Sequence, residues 1–231
     1  MSANNKDRYH YDMNPFIAIK FDIVNSRKIK NRFQVQEKLF SAVASVNSAF
    51  ADAIRSGFVV THGDEVQGLL DAQKSKEVIG IIERFIDALR PDGLRFGVGV
   101  GTLATRLQPY AIGMDGKVWH RAKTAIEFAR NKHTPIQFDG FGETNDRLIN
   151  ALANMLLLIR LRWTREQLDV VKLLETNKTQ VVIAKQFGVS EAAISKRLSA
   201  AGWRYYRDGR AALGLLLEES IKKQLLPSEW D

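Results

Sequence analysis

The chain has no cysteine and only five prolines in 231 residues. Without thiols there is no disulfide, no thiolate metal site and no cysteine nucleophile. Long apolar runs are also missing. The longest, "ALANMLLLI", ends at once on Arg160 and Arg162, far short of the roughly 18 residues that suggest a membrane span. The first residues, "MSANNKDRYHYD", are polar and lack the apolar core of a secretory signal, so a cytoplasmic location is the expectation. No G-x-x-x-x-G-K-S/T phosphate loop is present, and no spacing suggests a Ser-His-Asp arrangement.

What is present describes a globular chain long enough for one ordinary domain and a small second one, with 45% hydrophobic and 26% charged residues. The formal charge of +8 favours a polyanionic partner, although a basic surface also serves solubility. Where the charge lies decides more than its sum.

The first region, 1–143, opens with "PFIAIKFDIV". Ile17, Ile19, Phe21 and Ile23 alternate with Ala18, Lys20 and Asp22, the period of a strand with one buried face, and Asp22 falls opposite the apolar set. Val35, Leu39, Val43, Val46 and Phe50 then recur at helical spacing. "FVVTHGDEVQG" reads as a hairpin with Gly63-Asp64 at its tip, since glycine at the first central position and a polar residue at the second suit a two-residue loop. A helix through "KEVIGIIERFIDALR" ends at Pro91 and Gly93.

"LRFGVGVGTL" is a further strand with Gly97, Gly99 and Gly101 on one face. Such a bare stripe marks close approach of a ligand, of another backbone, or of a packed helix or twin subunit. The helix around "GKVWHRAKTAIEFARNK" and an edge strand in "TPIQFDGF" follow. This order predicts an α+β fold, a ferredoxin-like or palm-type antiparallel sheet with helices on one face and the other face open.

The second region, 144–231, is read as a small all-α domain. In "TQVVIAKQFGVSEAAISKRLSAAGW", Ala184, Gly188, Ser190, Ile194 and Leu198 fall where a helix-turn-helix needs a small packing residue, a turn glycine, an N-cap and two core-facing apolar residues. Ser190 opens the reading helix, and Glu191, Ala192, Ser195, Lys196 and Arg197 are the DNA-facing candidates, short or basic as groove entry requires. From Arg160 to Arg210 there are eleven Lys/Arg against five acids, a local +6 that suits a phosphate backbone. A helical unit used for dimerisation fits the same pattern.

Four segments together, "FDIVNSRKI", "FVVTHGDEVQGLL", "LRFGVGVGTL" and "AIGMDGKVWHRAKTAIEFAR", resemble the SatD family. More distantly, their order is similar to the palm of class III nucleotide cyclases and GGDEF enzymes. That resemblance implies Mg2+ or Mn2+ on Asp22 and Asp64, with Glu65 and the Ile23 carbonyl alongside. It also implies a purine nucleotide triphosphate near Asn25, Ser26, Arg27, Gly97 and Gly99. Carboxylates and phosphate oxygens are the ligands such hard cations prefer. In the cyclases, an Asn and an Arg on the helix after the glycine strand assist the transition state; here His120 and Thr124 stand at those positions. His120, Arg121 and Lys123 are the remaining catalytic candidates, and His62 beside Gly63 is a further one.

Three functions follow. The first is a DNA-binding regulator that senses a metal-bound nucleotide, the second an active nucleotide cyclase or nucleotidyltransferase, and the third a protein-contact module. A homodimer is expected under either of the first two.

Overall fold

Alternation builds the sheet. In β1 (Phe16–Ile23), Ile17, Ile19, Phe21 and Ile23 enter the main core, whereas Phe16 and Ala18 enter a second core on the other face. The computed structural model describes residues 14–225. After β1 come α1 (Arg32–Ala49), β2 (Ile54–His62), β3 (Glu65–Asp71), α2 (Glu77–Leu89), β4 (Leu94–Gly101), α3 (Lys117–Lys132) and β5 (Ile136–Asp139). The five strands lie in the order β2-β3-β1-β4-β5, antiparallel except for the parallel β4-β5 pair. The element order and mostly antiparallel sheet agree with the reading of the sequence.

The open sheet face does not exist. α1 and α2 cover one face, and α3 covers the other. α3 lies so close to β4 that a Cβ on Gly97 or Gly99 would collide with the backbone of Ile126 or Ala122. A Cβ on Gly101 would stand 2.9 Å from the Val118 nitrogen. The match is metrical. Two strand residues span about 6.6 Å and four helix residues about 6 Å, so each successive glycine, every second strand residue, meets every fourth helix residue, running in opposite directions. This is the return path that a crossover from β4 to the parallel β5 requires.

Both sheet edges are closed. β2 carries register shifts along its pairing with β3, and its Gly57 exchanges backbone hydrogen bonds with Pro109 and Ala111 at 2.8 and 3.0 Å. β5 is capped from the helix that follows. The Asn150 amide accepts from Phe138 N–H at 2.7 Å and donates to its carbonyl at 2.9 Å, and Asn154 treats Ile136 the same way at 3.4 and 3.0 Å. Two amides four residues apart thus take the place of a neighbouring strand.

That helix, α4 (Glu143–Leu161), begins the second region, followed by α5 (Arg165–Glu175), α6 (Gln180–Phe187), α7 (Glu191–Ala200) and α8 (Trp203–Leu225). A capping box of Thr164 and Gln167 opens α5, and Thr179 caps α6. Residues 143 and 144, either side of the expected domain boundary, both lie in the first turn of α4, and one continuous core runs from Ile17 of β1 to Ile221 of α8.

A buried polar joint ties the two regions. Glu83 of α2, 4% exposed, accepts from the Tyr206 hydroxyl and from Arg210 Nε at 2.9 Å. One turn on, Asp87 accepts from Arg160 at 2.8 Å and lies 3.5 Å from Lys172. Burial, then the Glu83 carboxylate, pushes the Tyr206 pKa far upward and keeps its hydroxyl a donor. The Arg160 guanidinium also lies over the rings of Trp163 and Tyr206, 5.2 and 5.7 Å from their centroids. Glu83→Ala takes the carboxylate from Arg210 and the Tyr206 hydroxyl while Arg160 keeps Asp87, and with Arg210 partly exposed it is expected to cost about 1–3 kcal/mol. Urea denaturation checks this, and an unchanged midpoint would show that the joint adds nothing to stability.

Candidate functional site

The acids singled out in the sequence come close in the chain trace but serve different partners. Asp22, 6% exposed, points to the α3 side, where Arg95 of β4 and Arg130 of α3 hold its two oxygens at 3.2 and 2.7 Å. This bond, with the nearby Glu65 and Glu127 carboxylates, raises the pKa of Arg130 against a smaller opposing effect of burial. Asp64 instead turns its Oδ2 to the Ile23 N–H at 3.1 Å, closing the hairpin tip onto the end of β1 beyond the last pair with β3, while the β4 side of the strand stays paired. Gly63, at φ 60°, supplies the backbone conformation of that tip.

Two polar surroundings result. Asp64 and Gly63 open onto a pocket of about 240 Å³ shared with Ile23, Ser26 and the α1 residues Arg32 and Val35. Asn25 is exposed and left-handed at φ 58°, and Ser26 begins a single 3-10 turn; the Arg27 side chain lies outside the described residues. On the α3 side, Lys20 donates to Gln67 at 2.9 Å. Burial lowers its pKa, partly opposed by Glu65.

The donors expected for a divalent metal do not converge. Asp22 is neutralised by two arginines, and among the described residues no group of three or more His, Cys, Asp or Glu is placed to hold an ion. The set Asp22, Ile23, Asp64 and Glu65 therefore does not fit the centre that the resemblance implies. Gly97 and Gly99 likewise lie beneath α3 and offer no surface to a nucleotide.

The catalytic candidates stand apart as well. His120 and Lys123 are exposed, and His120 pairs with Asp115 at 3.2 Å. Arg121 donates to the Val100 carbonyl at 2.7 Å, at the end of β4 remote from Arg95 and Asp22. Five residues of strand separate them, about 17 Å. His62 is exposed beside the hairpin tip. Trp119 and Trp163 are buried.

The C-terminal candidates do come together. α6 and α7 are joined by Gly188, Val189 and Ser190, with Gly188 left-handed at φ 64° and the Ser190 hydroxyl accepting from Ala193 N–H at 3.2 Å. Ile194 and Leu198 bury one side of α7. Glu191, Ala192, Ser195 and Lys196 lie exposed on the other, while Arg197 is half-covered over the Phe187 ring at 5.8 Å.

The local charge is smaller than its count implies. Three of the eleven cations, Arg160, Lys172 and Arg210, are paired with Glu83 and Asp87 of α2. Sequence reasoning missed these two acids and the Asn150–Asn154 cap. The only signal was polar residues one turn apart on otherwise apolar helices.

The sheet and its helices define an α+β protein. Residues 16–216 match the SatD family, and the chain belongs to that family. No curated protein matches the sequence. Similar solved structures include a bacterial light-regulated adenylyl cyclase, 16% identical over 54% of this chain and 75% of that one, with a TM-score of 0.43. The guanylyl cyclase Cya2 is 14% identical over 51% and 72%, with a TM-score of 0.40. An EAL/GGDEF domain protein from M. capsulatus is 18% identical over 56% and 87%, with a TM-score of 0.41. Among the described residues no helix is long and apolar enough to cross a membrane.

Asp22 thus works as a counterion that closes α3 onto the sheet. Asp22→Ala is expected to lower stability by about 1–3 kcal/mol, discounted for the exposure of Arg130. The loss should be the same in EDTA and in millimolar Mn2+. A melting temperature that rises with Mn2+ in the wild type but not in the variant would show that the carboxylate holds a metal.

Proposed function

We propose that the chain is a DNA-binding regulator in which α6 and α7 form a helix-turn-helix and α7 reads the major groove. One observation carries this reading. Ser190 caps α7 from outside, Ile194 and Leu198 hold it from behind, and the exposed side bears only short or basic residues apart from Glu191. A helix seated this way enters a groove N-terminus first, with its capping region near phosphate. Lys185, Lys196 and Arg204 make no ion pair with described residues and remain available to a phosphate backbone.

The palm-like part serves in this reading as the sensor. The pocket beside Asp64 is smaller than the roughly 300 Å³ at which drug-sized sites begin, so it suits part of a nucleotide, with Arg32 as a phosphate partner. The α2 joint links the helix packed on the sheet to α4, α5 and α8, giving a physical route from pocket side to DNA side. The protein acts as a homodimer, because such reading helices work on paired half-sites.

An active nucleotide cyclase or nucleotidyltransferase is the second reading, favoured by Asp64 lying at the end of β1 with one oxygen not engaged by Ile23. It requires Arg95 and Arg130 to release Asp22. Incubation with ATP or GTP and Mn2+ tests it, and turnover that survives both Asp22→Ala and Asp64→Ala comes from a contaminant.

For DNA, affinity should fall steeply with salt, and Lys196→Ala with Arg197→Ala should make the logarithmic slope shallower by about two. Lys196 is exposed and Arg197 only covers the Phe187 ring, so the loss of stability should not exceed the roughly 0.5–1 kcal/mol of one such cation–π contact. Binding that ignores salt, or no binding to genomic fragments at low salt, refutes groove reading by α7.

A further inference from the structure

From Leu148 to Ile159 no residue of α4 is ionisable. Its inner side, Ile149, Ala153, Leu156 and Leu157, is buried in the main core, while Leu148, Met155 and Leu158 on the outer side expose 53%, 63% and 49%. Apart from Asn150 and Asn154, which face β5, this stretch is apolar all round, and such a helix belongs in an interior. The outer residues Leu148, Ala151, Met155 and Leu158 follow at spacings of three, four and three, the repeat of a seam between two helices. α8 runs antiparallel beside it, Gly209 against Leu156 and Tyr206 against Trp163.

We infer that this face is the homodimer interface, with α4 lying antiparallel on α4 of a second copy across a two-fold axis. The inference rests on the paired-helix reading for its purpose but not for its geometry. Three properties select a second copy as the occupant. Two chains of charge +8 repel, so an uncharged strip is where they meet without burying like charges. The strip is bracketed by Glu143 at one end and Arg162 at the other, both exposed, so reversing the second helix sets each Glu143 beside the Arg162 of the partner subunit, in place of its present contact with Arg147. Opposed helix dipoles favour the same direction. Sizes also match, because pairing about the middle of the strip places the small Ala151 against the long Met155 of the partner subunit and Leu148 against its Leu158. An isologous contact demands this self-complementarity.

Light scattering on the full chain without DNA should give twice the chain mass at micromolar concentration. Met155→Glu should halve it with unchanged circular dichroism. Glu143→Arg should weaken the dimer, and adding Arg162→Glu should restore it. Because the chain lacks cysteine, a second measurement does not depend on a destabilising change: Ala151→Cys protein mixed with Met155→Cys protein should oxidise to a cross-linked dimer faster than either alone. A wild-type monomer overturns the inference and leaves α4 to another occupant, as does a dimer that Met155→Glu leaves intact or one without the mixed cross-link. A dimer with these properties that binds no DNA supports the interface and sinks only the regulator reading, whereas a monomer that still binds DNA does the reverse.

Discussion

The approach of α3 to the glycines of β4 is the constraint from which most of the molecule follows. Strand and helix share a repeat of about six ångströms, but their backbones touch along it only when every second strand residue lacks a side chain, and Gly97, Gly99 and Gly101 meet that condition against Ile126, Ala122 and Val118. With α3 in place, the second sheet face is an interior. Asp22 must then be neutralised where it stands, and Arg95 and Arg130 do so from the strand and from the helix. What the first region leaves open to a ligand is therefore its strand ends and helix surfaces, not a sheet face.

Electrostatics divides the chain in a way its net charge conceals. Carboxylates that face the interior are each matched by cations from distant segments: Asp22 by Arg130 across 108 residues, Glu83 by Arg210 across 127. These pairs do more for register than for energy, since desolvation offsets much of their attraction. They fix how α3 sits on the sheet and how α8 sits on α2. Some of the cations left over lie on α6 to α8, among them Lys185, Lys196 and Arg204, so the excess of eight is not spread evenly over the surface.

Much of the fold was legible because its signals are local. Alternation placed Asp22 opposite the apolar set of β1, and turn chemistry placed Gly63-Asp64 at a hairpin tip; Gly188 and Ser190 marked the α6–α7 turn. The site was less legible because its meaning depends on what arrives from elsewhere. A glycine stripe reads alike whether a nucleotide, a twin subunit or a helix fills it, and here Val118, Ala122 and Ile126 were the neighbours it was made for. Asp22 looked like a ligand since nothing near it in sequence reveals Arg130. The basic count of the second region was inflated for the same reason, its counterions being more than seventy residues upstream.

The amides of Asn150 and Asn154 have a further consequence. By occupying the outward N–H and C=O groups of Ile136 and Phe138, they leave β5 no template on which a foreign strand could register. With β2 crimped at the opposite border, the protein is guarded against the runaway stacking that begins at unprotected β-margins, a safeguard that fails only if α4 first peels away.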